Sequence, residues 1–130
     1  MSNSHVLQVQ VAIQYFGSGA NQVNLSIYAD SGGVPGTLLA GPVTVTNLPS
    51  AGTCCLLAVA TFSPLAITGG TQYWVVADTP LSGTGSDFSG GWAAVIKPDL
   101  PMATNCGSCS GWFSFNANGL AAGAVVGTIP

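Results

Sequence analysis

Within residues 6–16, "VLQVQVAIQYF", bulky apolar side chains recur at every second position from Leu7 to Tyr15. Leu7, Val9, Val11, Ile13 and Tyr15 fall on one face, and Gln8, Gln10, Ala12 and Gln14 on the other. That is the period-two signature of a half-buried strand. A turn, "GSGANQ", leads to "VNLSIYA", in which Leu25, Ile27 and Ala29 alternate with Ser26, Tyr28 and Asp30. After the glycine-rich corner at 31–36 the apolar pattern resumes with Leu38 and Leu39 in "TLLAGPVTVTNL". Pro42 interrupts that run, and a proline cannot donate to a ladder, so an edge strand or a bulge is predicted there.

The same punctuation continues. A "PSAGT" loop precedes "CCLLAVATF", then "SPLAITGG", "TQYWVVAD" and "GGWAAVIK". Residues 98–110 read as irregular, and "GWFSFN" and "AGAVVGTI" complete the chain. Turn signals recur every ~8–12 residues and no segment carries a helical period. The pattern predicts one all-β domain over residues 1–130, an antiparallel β-sandwich, jelly-roll-like, with about eight strands. Trp74, Trp92 and Trp112 are its expected core plugs.

Composition narrows what such a sandwich does. Apolar residues make up 48% of the chain and charged residues only 4%, against ~25% charged in ordinary soluble domains. Lys97 is the sole strong cation, and Asp30, Asp78, Asp87 and Asp99 are the only acids. One cation cannot displace counterions from a phosphate backbone, so nucleic acid is excluded as a partner. No apolar run approaches the ~20 residues of a helical membrane span. A surface of hydroxyls and amides with so few charges resists association weakly. Burial of that surface in self-assembly is therefore expected.

Cys54, Cys55, Cys106 and Cys109 make an even set, which favours disulfides and an oxidising compartment. Zinc is the rival, because "CGSC" has ligand-like spacing. Adjacent Cys54 and Cys55 in an extended run point to opposite faces, which opposes a shared tetrahedral ion. The pairing stays open.

Three stretches in order, "VNLSIYADSGGVPGTLLA", "VTNLPSAGTCC" and "ITGGTQYWVVAD", resemble the secreted bacterial modules called choice-of-anchor R domains. The resemblance falls on Tyr28, Asp30, Gly32, Gly33, Pro35, Gly36, Leu48, Pro49, Cys54, Cys55, Gly70, Thr71, Tyr73 and Trp74. It implies an extracellular or cell-surface β-sandwich and brings no catalytic residues. The chain departs from the family pattern in its "NCGSC" pair, and with its last residues reading "GAVVGTIP" no C-terminal sorting signal is expected. Only "MSNSH" precedes the first strand, where similar modules carry more chain. An unpaired sheet edge is expected as a result, open to strand addition by a neighbour.

Chemistry is sparse. His5, the only histidine, lies near the chain start, where fraying is expected, so no Ser-His-Asp arrangement is anticipated. Four scattered aspartates read as turn formers rather than a paired-carboxylate site. No enzyme activity and no cofactor are expected. Calcium at Asp30, Gly32, Gly33, Pro35 and Gly36 is the lesser reading of that corner, since Ca²⁺ wants six to eight oxygens. The better reading is a register-setting turn, in which Asp30 accepts from following amides and the glycines supply positive φ. Tyr28, Trp92, Trp112 and Phe113 are candidate aromatics for a polysaccharide platform or an interface.

The expected function is a non-enzymatic extracellular structural module that self-associates into a fibre, sheath or surface layer. It would do so by β-strand pairing and uncharged packing. A carbohydrate-binding or adhesive surface module is the alternative. With so few titratable groups, assembly is expected to ignore pH between roughly 3 and 9.

Overall fold

The computed structural model describes residues 3–53, 56–79, 89–92, 94–104, 113–121 and 123–128. These form ten strands: β1 (Asn3–Val11), β2 (Ile13–Ser18), β3 (Gln22–Asp30), β4 (Pro35–Thr46), β5 (Ala58–Thr68), β6 (Tyr73–Asp78), β7 (Ser89–Trp92), β8 (Ala94–Thr104), β9 (Phe113–Ala121) and β10 (Gly123–Thr128). Two three-stranded antiparallel sheets, in the orders β10-β1-β5 and β4-β3-β6, pack together as a β-sandwich. Two further pairs, β2-β7 and β8-β9, complete the described structure.

The alternating positions of β1, β3 and β5 build the core. Val6, Val9 and Val11 from β1, Val23, Leu25 and Ile27 from β3, and Ala58, Ala60 and Phe62 from β5 form one buried cluster with Ile13 and Leu48. β-Branched side chains dominate it, as suits a pleated surface packed on one side. β4 and β6 flank β3 and lay Ala40, Val43, Val45, Tyr73, Val75 and Ala77 against the same cluster.

Several local expectations change. The long first strand is two: β1 pairs with β10 and β5, whereas β2, after Ala12, pairs with β7. Within β1 the register breaks between Val6 and Gln8, so Val6 is buried in place of Leu7. "CCLLAVATF" and "SPLAITGG" contribute to a single strand, β5, whose irregularity opposite Leu7 holds Pro64. The ladder tolerates the proline by leaving it outside the pairing. β8 extends through Thr104 into the stretch expected to be irregular, bulging at 97–99 opposite β9.

Pro42 sits as predicted on an edge strand and at a bulge, because Leu25 and Ile27 of β3 face Val43 and Ala40 of β4. Gly41 makes that bulge. Its φ is 94°, and a Cβ there would lie 2.8 Å from the Leu25 carbonyl oxygen and 3.2 Å from the Phe62 ring.

Side-chain amides hold the loop after β4. Asn21 accepts from the Leu48 N–H at 2.8 Å through Oδ1 and donates to its carbonyl at 3.0 Å through Nδ2. Gln14 donates to the Thr53 carbonyl at 3.1 Å. Tyr15 donates its backbone N–H to Pro49 and accepts from Ala51. Buried Leu48 is thereby seated in the core with both its main-chain groups paired.

Candidate functional site

The corner after β3 is a tight reversal in which the Ser31 N–H donates to the Val34 carbonyl at 2.8 Å. Gly32 and Gly33 occupy it at φ of 65° and 90°, a region costly to residues with a Cβ. Pro35 is buried and pairs with Asp30, and Gly36 packs so closely that a Cβ would meet that of Ser31 at 2.7 Å.

Asp30 does more than close this turn. Its Oδ2 accepts from the Gly33 N–H at 3.3 Å. Its Oδ1 accepts from the Trp74 indole Nε1–H at 2.7 Å and from Gln72 Nε2 at 3.3 Å. The carboxylate therefore ties the β3–β4 corner to the start of β6. Asp78 pairs with Asn24, six residues along β3 from Asp30 and about 20 Å away at the rise of a strand. Asp87 lies outside the described residues. Among the described residues no three His, Cys, Asp or Glu side chains come together.

Strand period explains why Trp74 is at this corner. Tyr73, Val75 and Ala77 face the core, so Trp74 points the other way, with Tyr28 directly opposite it on β3. Trp74 is thus no core plug but part of the outer face of the β4-β3-β6 sheet. Further along that face Ser26 and Val76, also opposite one another, are buried. The face is accessible on either side of that pair: at one end lie exposed Asp78 and Thr44, at the other half-buried Tyr28 and Trp74 with exposed Asp30 and Gln72.

The other candidate residues separate. Trp92 ends β7 opposite Ile13 and is packed, partly buried, against the core. Phe113 opens β9 opposite Thr104. Trp112 and all four cysteines, Cys54, Cys55, Cys106 and Cys109, lie outside the described residues. The structure therefore brings Tyr28 to the Asp30 corner and packs Trp92 against the core. His5 lies within β1, paired with Thr128 and Ala66, rather than at a frayed end.

The sheet edges form a second region of interest. The first strand has no open edge, since β1 is flanked on both sides. Among the described residues the edges of the two main sheets are β10, β5, β4 and β6. β4 and β5 carry Pro42 and Pro64 at irregularities, devices that blunt an edge. β6 is six residues long and ends in an aspartate.

β10, "GAVVGT", has neither charge nor proline, and each of its six residues is exposed. Val125 shares the face of Val9, which is 1% exposed, yet is itself 54% exposed. Val126, on the Gln8 face, is 43% exposed. This strand is bare on both faces.

Fold and edges together define a β-sandwich protein in which β10, among the described edges of the two main sheets, is bare and carries neither charge nor proline. No family model, no curated protein and no solved structure matches the chain.

Proposed function

We propose that this domain is a non-enzymatic, extracellular structural module that associates with further copies of itself by strand addition at β10. The observation that carries the reading is the exposure of β10 on both faces at the edge of its sheet. An edge strand offers unpaired backbone donors and acceptors, and apolar side chains on both faces reward whatever covers them. The occupant is a second copy because 4% charged residues leave little repulsion between copies. Two β10 edges meeting antiparallel make a self-complementary, two-fold contact. Growth into a fibre or sheath requires a second contact between copies in addition to this one. The extracellular setting rests on the resemblance to choice-of-anchor R domains and on the even number of cysteines.

Negative-stain electron microscopy and sedimentation at micromolar concentration test the proposal. Ordered assemblies are expected from the unaltered chain, and dispersed monomers from Val126→Lys, which puts a charge on the edge without touching the core. Thr46→Lys, on the proline-bearing β4 edge, is expected to assemble normally. Monomers from the unaltered chain, or assembly undiminished in Val126→Lys, would sink it.

A further inference from the structure

We infer that the Asp30 end of the β4-β3-β6 sheet, formed by Tyr28, Trp74, Asp30 and Gln72, is a binding site for a neutral carbohydrate. The inference is independent of strand addition, since the site lies on the sheet that does not contain β10. Four observations carry it.

The two aromatics are direct cross-strand partners facing away from the core. Their side chains therefore start ~5 Å apart on one face. Neither side chain is fully buried, and both bounding polar residues are exposed.

The indole is oriented rather than free. Its N–H is held at 2.7 Å by the Asp30 carboxylate, and that carboxylate is itself held by the Gly33 amide. An aromatic ring whose position is set before the ligand arrives loses little freedom on binding.

The polarity of the site then selects the ligand. A proline-rich peptide also docks on Trp and Tyr pairs, but it offers carbonyl acceptors and seeks a donor such as an indole N–H. Here that donor is already engaged. A carboxylate has about four acceptor positions, and the Asp30 carboxylate receives three donors. The position left over suits a hydroxyl donor, in a short charge-assisted bond. A pyranose presents apolar C–H groups on its ring face and hydroxyl donors at its rim, and so matches an aromatic surface bordered by a carboxylate.

Charge removes the acidic sugars. The chain has one Lys and no Arg, and a net charge of −3, so the described residues of this corner offer no cation to a uronate or a sulfate.

The test is isothermal titration of the full chain with cellohexaose, maltohexaose, mannohexaose, xylohexaose and galactohexaose, and with hexagalacturonate as the acidic comparison. At least one neutral oligomer is expected to bind saturably and hexagalacturonate not to bind. Tyr28→Ala and Gln72→Ala are each expected to weaken binding about tenfold or more, the loss of one good contact. Gln72 is exposed and lies ahead of the strand, so its variant keeps the fold and remains informative where Tyr28→Ala does not. Thermal melting of each variant checks this. Silence from every neutral oligomer, binding of hexagalacturonate alone, or binding unchanged in a folded Gln72→Ala variant would overturn the inference.

Discussion

Single residues carry this structure where backbone and side chain meet closely. Gly41 is one, since its positive φ and the nearby Leu25 oxygen both oppose a side chain. Gly41→Ala is expected to lower stability by about 2 kcal/mol or more, seen as a lower urea midpoint with unchanged slope. Asn21 is another. Replacing it by alanine strands the Leu48 N–H and carbonyl beside a buried side chain, at a cost of about 2 kcal/mol. Faster hydrogen exchange at the Leu48 amide would locate that loss, and an unchanged rate would contradict the clamp. Asp30→Asn should be milder, about 1 kcal/mol, because its hydrogen bonds are solvent-exposed. A shift of the Trp74 indole N–H resonance is the local reporter. The Asp30 turn was legible from "DSGGVPG", because local backbone geometry demands those residue types. Its bond to Trp74 was not, since the partners lie 44 positions apart.

Among the strands, position in the sheet separates sequences that look alike. β1 and β10 both read as apolar extended segments, yet β1 is central with Val9 and Val11 buried while β10 is bare. Amide exchange should rank them accordingly. In dilute protein, β1 is expected to exchange only through near-global unfolding and the outward amides of β10 to exchange quickly. On assembly the β10 amides should slow, whereas those of β4 should not. Equal protection of β10 at all concentrations would remove the edge from consideration. The alternation in residues 6–16 announced strands correctly, but it could not reveal the break at Leu7 or the passage between sheets at Ala12. A bulge shifts the inward phase by one residue, and only the pairing partners show where it falls.

For the molecule as a whole, the scarcity of charge sets how association responds to its surroundings. With four aspartates, one lysine and one histidine, few protons are taken up or released on any contact. Assembly is expected to change little between roughly pH 3 and 9. Raising salt from about 50 to 500 mM should not dissociate it either, because screening acts on charges and the β10 contact has none. Light scattering across both series checks this, and dissociation at mild acid or in salt would show that ionic contacts hold the assembly.

What the chain determined by itself is its class. The period-two pattern, the turn chemistry and the absence of a helical repeat specify an all-β sandwich, because side-chain alternation and turn geometry are local properties of a few neighbouring residues. The proline at 42 likewise marks its strand as an imperfect partner, since a missing N–H is a local fact. Tertiary structure alone decided which strands became edges, that Trp74 faces outward while Trp92 packs inward, and that Tyr28 meets Asp30 and Gln72 at one corner. Those outcomes depend on pairings between distant segments and on which face of each sheet finds a second sheet to cover it.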